Sequence, residues 1–240
     1  MIRENFLGVD VACVNMQTTL EEVDNIVNKR EPGFIVAINP EKIMKASEDE
    51  KLKLLLNSAA IQIPDGIGVV YASKLNRGNI KSRVTGIDLM EKICEQAAKK
   101  NYKIFMLGAK PGVADKAASL LQEKYKGINI VGIMDGYFKE DREAILKIKE
   151  KNPDILFVAM GSPKQEYWIT NNQQEMEVPL CMGVGGSYDV ICGNIDRAPD
   201  FMCKMGLEWL YRLIKEPWRF KRMLVLPKFF FKIIGERVKK

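Results

Sequence analysis

No histidine occurs anywhere in the 240 residues. A general base working near neutral pH must then be a carboxylate, or a perturbed lysine, cysteine or tyrosine. Ser-His-Asp and Cys-His catalysis are excluded, as is every histidine-bearing metal site. Five cysteines (Cys13, Cys94, Cys181, Cys192, Cys203) are scattered without a C-x-x-C pair. That usage fits reduced, mostly buried thiols in a cytosolic protein and argues against a zinc site or a disulfide framework. No apolar run approaches the ~20 residues of a membrane-spanning helix. The opening MIRENFLGVD has no apolar core, so no signal peptide is expected. The G-x-G-x-x-G fingerprint is missing too, which counts against a nicotinamide-dependent oxidoreductase, the rival that an α/β pattern raises by itself.

What is present suffices for a large core. Hydrophobic residues make up 47% of the chain and charged ones 28%, a balance that suits one α/β domain with an appendage. The net charge of +6 is unevenly placed. From Lys204 to Lys240 there are eleven Lys/Arg against three Glu, a net +8, which leaves 26 basic against 28 acidic residues upstream. A local anionic partner for the tail follows from this.

Apolar strand-like runs stand at Phe34–Ile38, Ile61–Ile63, Lys103–Leu107, Ile128–Ile133, Asp154–Met160 and Leu180–Val184. Between them lie helical stretches: PEKIMKASEDEKLKLLLNSA, GIDLMEKICEQAAKKN, PGVADKAASLLQEKY, DREAILKIKEKN and PKQEYWITNNQQEM. Near-continuous apolar strands alternating with helices predict an α/β fold, a mostly parallel sheet with helices on both faces. Pro111 and Pro163 suit first-turn positions, where a missing N–H costs nothing. Composition shifts near Asp196–Pro199, which divides the chain into a domain over residues 1–199 and a helical basic appendage over 200–240. In the appendage, Arg212, Lys215, Arg219 and Arg222 would form a basic stripe if one helix ran through Pro217 with a kink. LPKFFFKIIGERVKK interleaves aromatics with lysines, the pattern of a segment that lies on a membrane surface. The competing reading is a helix packed on the domain with a solvated charged face. A nucleic-acid adaptor would use the same charge, but pocket-like segments upstream argue for a catalyst that takes no nucleic acid.

Ligands of parallel α/β folds bind at the carboxyl ends of strands. In IQIPDGIGVV, Asp65 ends a buried strand. A PDG string is more often a plain turn, but in a chain without histidine Asp65 is the candidate general base. FMLGAKPGVADKAA places Gly108 and Gly112 between a strand and a helix whose free N–H groups can face a diphosphate. VAMGSPKQEYW offers Lys164 to phosphate and Gln165 to sugar hydroxyls, with Glu166 beside them; helix capping by Ser162 is the bland alternative. CMGVGGSYDV brings Gly183, Gly185 and Gly186 close to a ligand, with Asp189 just beyond. In SRVTGIDL, Arg83 is a phosphate or sugar ligand, or else a surface ion pair.

Taken in order, INPEK, PDGIGVV, SRVTGIDL, FMLGAKPGVA, GIMDGYF, PDILFVAMGSPKQE, MGVGGSYDV, RAP and GLEWLYRLIKEPWRFKR resemble the WecG/TagA/CpsF glycosyltransferase family over nearly the whole chain. The resemblance implies a Rossmann-like domain that transfers an amino sugar, with inversion, from a UDP-sugar donor. The acceptor it implies is GlcNAc-diphospho-undecaprenol. In the teichoic-acid branch the donor is UDP-N-acetylmannosamine; in the enterobacterial-antigen branch it is the uronic acid. No cofactor and no metal ion are implied, and no D-x-D triplet occurs here. By position, Asp65 matches the family's proposed base. Asn39, Arg83 and Gln165 match sugar or phosphate contacts, and Arg212, Arg219 and Arg222 match arginines that a membrane-touching appendage supplies to the active site. The family often has Thr where this chain has Ala37, so one hydroxyl contact is missing. The resemblance implies a cytoplasmic protein, peripheral on the inner face of the cell membrane; separately, exposed apolar tail residues favour self-association when no membrane is present, with the oligomeric state left open.

Overall fold

The computed structural model describes residues 1–215, 217, 220 and 224–238, without the side chains of Asp200, Lys204, Arg212, Arg237 and Val238. Arg219 and Arg222 lie outside the described residues, as does the side chain of Arg212.

Every strand expected from the apolar runs is present: β3 (Gly33–Ile38), β4 (Ile61–Pro64), β5 (Lys103–Gly108), β6 (Asn129–Met134), β7 (Ile155–Ala159) and β8 (Leu180–Gly183). They form a parallel sheet in the order β4-β3-β8-β7-β5-β6. Strand side chains alternate between two apolar clusters, as the two-residue pleat requires. Ile155 and Phe157 of β7 face one cluster, while Leu156 and Val158 face the other. The first is covered by α1 (Met16–Lys29), α5 (Gly86–Lys100), α6 (Val113–Lys124) and α9 (Ser187–Ile191). The second is covered by α2 (Pro40–Ala46), α3 (Glu50–Asn57), α4 (Ile67–Leu75), α7 (Asp141–Lys151) and α8 (Lys164–Met176). This is the Rossmann-like arrangement, helices on both faces of a parallel sheet.

Some local details depart from expectation. An antiparallel hairpin, β1 (Arg3–Phe6) with β2 (Val9–Ala12), precedes the sheet, and Arg3 donates to the Ala60 carbonyl at 3.2 Å. The helix expected over residues 40–59 is two helices, because Asp49 accepts from Leu52 N–H and starts a second one. α4 follows Gly66 directly, where no helix was expected. Pro40 is the proline inside a first turn; Pro163 is the residue flanking α8, and Pro111 precedes Gly112, which flanks α6. No side chain caps α8, so Ser162 is not its cap. All five cysteines are free thiols. Burial pushes the Cys94 thiol up to about 12; burial with the Glu4 carboxylate pushes Cys13 up to about 11. Both are protonated at neutral pH and poorly nucleophilic.

Beyond Pro199 come α10 (Asp200–Lys204), α11 (Glu208–Lys215) and α12 (Val225–Val238). α11 is described to Lys215, and the basic stripe expected through Arg219 and Arg222 lies outside the described residues. α12 packs against α2 and α4. It contributes Phe229 and Ile233 to the second cluster, beside Ile38, Ile43 and Val69. No described helix is long and apolar enough to cross a membrane.

Candidate active site at the carboxyl crest of the sheet

Two strand ends make the first corner. Ile38 of β3 pairs in register with Pro64 of β4, so the next residues, Asn39 and Asp65, leave the sheet side by side. The Asp65 N–H donates to the Ile38 carbonyl at 2.8 Å, which fixes the backbone that bears the carboxylate. Asn39 caps α2, its Oδ1 accepting from Lys42 N–H at 2.9 Å. That oxygen is thereby used, and the Asn39 amide N–H₂ is the end that can meet a ligand. Asn39 and Asp65 are both partly exposed. Ala37 sits one turn of the pleat below, and a Cβ on Gly86 would lie 3.7 Å from its methyl.

The Arg83 segment is stitched to this corner, since Val84 N–H donates to the Pro64 carbonyl at 2.9 Å. The Arg83 guanidinium reaches the other way. It donates to the Cys203 carbonyl at 2.6 Å and lies 3.5 Å from Glu208 Oε2. Arg83 thus fastens α10 and α11 to the connection between α4 and α5, which is itself bonded to the end of β4. Thr85 caps α5 through Asp88 N–H, and the Asp88 carboxylate meets Arg197 of the RAP string.

The second corner is built from β5, β7 and β8. The chain leaves β5 toward β6 and leaves β7 toward β8, in opposite directions across the sheet. Such a divergence opens a crevice where α/β folds bind ligands. Gly108 is required by the strands themselves: a Cβ there would stand 2.4 Å from the Ala159 carbonyl oxygen. Ala109 follows at φ 60, a left-handed conformation uncommon for a side-chain-bearing residue, at the rim of the crevice. Lys164 is exposed in the first turn of α8. Gln165 and Glu166 are buried. The Gln165 Oε1 accepts from Gly185 N–H at 3.0 Å and its Nε2 donates to Glu166 Oε1 at 3.3 Å. Asp189 accepts from Asn194 Nδ2 at 3.1 Å and orders the turn after α9.

Of the residues read from the sequence, Asn39 and Asp65 stand together at one corner, with Arg83 behind them in contact with the tail. Lys164, Gln165, Glu166 and Gly185 stand together at the other, on strand ends that are neighbours of the first through β3 and β8. Lys42 was missed. Its ammonium lies 2.8 Å from Glu166 Oε1, with only 10% and 2% of the two side chains exposed. The partners are 124 residues apart, so no local pattern could have joined them. Among the described residues no three acidic or cysteine side chains gather as a metal cluster.

Gly186 has no protein-side reason to be glycine. Its φ of −83 and ψ of 15 suit any residue, and a Cβ there meets nothing within 4 Å. Its neighbour Gly185 differs, since a φ of +54 favours glycine. An unforced glycine with open space before it lets a ligand approach the backbone. Gly186→Ala is therefore expected to leave the melting temperature within a few degrees of the parent and to raise the KM of a substrate bound at this crest roughly tenfold or more. Parallel thermal melts and initial rates check this; an unchanged KM would place the substrate elsewhere.

Residues 4–240 of the chain match the Glycosyl transferase WecG/TagA/CpsF family. It is 38% identical over 214 residues to the N-acetylglucosaminyldiphosphoundecaprenol N-acetyl-beta-D-mannosaminyltransferase of Bacillus subtilis strain 168, covering 89% of this chain and 84% of that one. It is also 38% identical over 203 residues to the protein of the same name from Bacillus spizizenii strain W23, covering 85% and 79%. With a match that spans almost every residue and places both corners of the crest inside it, the chain belongs to the WecG/TagA/CpsF family of glycosyl transferases.

Proposed function

We propose that this protein is an inverting glycosyltransferase that moves N-acetylmannosamine from UDP-N-acetylmannosamine to GlcNAc-diphospho-undecaprenol, forming the linkage unit of wall teichoic acid. The observation that carries the reading is the 38% identity, over most of both chains, to two mannosaminyltransferases acting on that acceptor. The crest geometry supports it. Asp65 takes the proton of the acceptor hydroxyl as that oxygen attacks the anomeric carbon. The carbon–oxygen bond to the diphosphate breaks on the opposite face, its electron pair leaves with UDP, and the configuration inverts. Charge developing on the diphosphate is met by Lys164 and by the N–H groups of α6 and α8, whose N-termini have no side-chain cap. Arg212, Arg219 and Arg222 are assigned the same task, brought over the pocket by the tail. The reaction is proposed to run without a metal ion.

The acceptor is a lipid, so the reaction takes place at a membrane surface. On α12, Phe229 and Ile233 are buried while Phe231 and Ile234 are exposed, and Phe201 and Phe220 are exposed as well. Apolar groups on a basic segment favour an anionic bilayer, and the tail is proposed to dock there on the inner face of the cell membrane.

The test is a transfer assay with UDP-N-acetylmannosamine, and with its uronic acid, on a soluble lipid-diphosphate-GlcNAc analogue, each with and without EDTA. Transfer from UDP-N-acetylmannosamine that survives EDTA is expected. Transfer from the uronic acid alone would overturn the donor assignment. Loss in EDTA with recovery on added Mg²⁺ would overturn the metal-free mechanism.

A further inference from the structure

A buried ion pair sits between the two corners. Lys42 is in the first turn of α2, three residues after Asn39; Glu166 is in the first turn of α8, next to Gln165. A continuous run of polar contacts connects them to the site. Asn39 Oδ1 accepts from Lys42 N–H, Lys42 Nζ donates to Glu166 Oε1, Gln165 Nε2 donates to the same oxygen, and Gln165 Oε1 accepts from Gly185 N–H. Three loops, those after β3, β7 and β8, are thereby held by one carboxylate oxygen and one amide.

Stability does not account for this arrangement. A buried ion pair is on average no better for folding than apolar residues of the same volume, because both charges must be desolvated. The cost here is larger still, since Glu166 Oε2 is buried with no hydrogen-bond partner among the described residues. A second observation is independent of charge. Gly183 leaves the space that the Gln165 amide fills; a Cβ there would stand 2.4 Å from Nε2 and 2.9 Å from Cδ. The glycine at the end of β8 leaves room for this one side chain.

We infer that Lys42, Glu166 and Gln165 form a positioning clamp that fixes the Gly185–Gly186 loop relative to the Asn39–Asp65 corner, an inference that rests on the proposed transferase reading. On that reading the loop receives the donor and the corner holds the base. The clamp sets the distance over which the acceptor hydroxyl must be aligned with the anomeric carbon. Loosening it leaves each half able to bind and misaligns the reacting atoms, which affects turnover more than affinity.

The experiment compares the parent with Lys42→Met, Glu166→Gln and the double variant. Rates are measured with UDP-N-acetylmannosamine and the lipid-diphosphate-GlcNAc analogue at a temperature where circular dichroism shows every protein fully folded. The expected result is a fall in kcat of roughly tenfold or more in each single variant, exceeding any rise in either KM, with the double no worse than the poorer single. Should either charge variant fail to fold, Gln165→Met removes the link to Gly185 without stranding a charge and is read by the same criterion. A kcat and both KM values within twofold of the parent, with only a lower melting temperature, would reduce the pair to a structural role and overturn the clamp. A rise in donor KM with kcat unchanged would overturn it as well, making these side chains simple donor contacts. No transfer by the parent would sink the functional reading and the clamp with it, whereas a normal parent with unaltered variants sinks the clamp alone.

Discussion

Asp65→Asn is expected to lower turnover by ~10²–10⁴ with donor affinity largely kept. The substitution is isosteric and leaves intact the backbone bond from residue 65 to the Ile38 carbonyl, so the corner keeps its shape. What it removes is the ability to accept a proton. No other group at the crest replaces that function readily, because the chain has no histidine. Glu166 is 1% exposed and paired with Lys42, Asp88 is engaged by Arg197, and Asp189 bonds Asn194. The measurement is kcat for transfer to the soluble acceptor, alongside calorimetric titration with UDP. A variant with parental kcat would remove Asp65 from the mechanism, and one that no longer bound UDP would make it a binding residue.

Phe229→Ala is expected to destabilise the whole protein by about 3–5 kcal/mol, although residue 229 lies in the basic C-terminal segment. Phe229 is 0% exposed and packs in the cluster that includes Ile38, Ile43 and Val69. Its ring also meets Phe230 edge-on, with centroids 5.4 Å apart. Removing the ring opens a cavity against α2, the helix that Asn39 caps. In a chain of this length the loss corresponds to a melting temperature roughly 6–20 °C lower. Phe231→Ala, at an exposed position of the same helix, is expected to change it by only a degree or two. Equal small effects would mean that α12 is docked loosely. The same packing bears on a chain cut after Pro199, which would uncover the faces of α2 and α4 that Phe229 and Ile233 seal.

The sheet was legible because its strands are continuous apolar runs between strong breaks. DILFVAM is bounded by Asn152, in the left-handed region, and by Gly161, and no helical periodicity competes with it. The β1–β2 hairpin was not legible. Its turn is made by Leu7 and Gly8, both at positive φ, and leucine gives none of the Asn-Gly or Asp-Gly signal of such turns. The break between α2 and α3 falls inside a polar stretch, SEDE, where one capping carboxylate decides the outcome. At the site, Asp65 could be singled out because it follows a buried strand and because histidine is missing. Glu166 could be read only as a pocket candidate beside Gln165, and nothing local marked Lys42 out. Only the meeting of the first turns of α2 and α8 in the fold makes the two charges a buried pair.

Strand order has a consequence for how the chain is made. β3 and β4 border each other, β5 and β6 border each other, and the two pairs meet only through β7 and β8, the last strands to be synthesised. A nascent polypeptide that has emerged as far as α7 therefore holds two unjoined ribbons, each with an open inner edge of unpaired backbone N–H and C=O groups between apolar side chains. Contacts of such long sequence separation form slowly. Translation must reach the glycine loop after β8 before the interior can shut, so the residues that complete the ligand crest also end the interval in which the chain is most prone to aggregate.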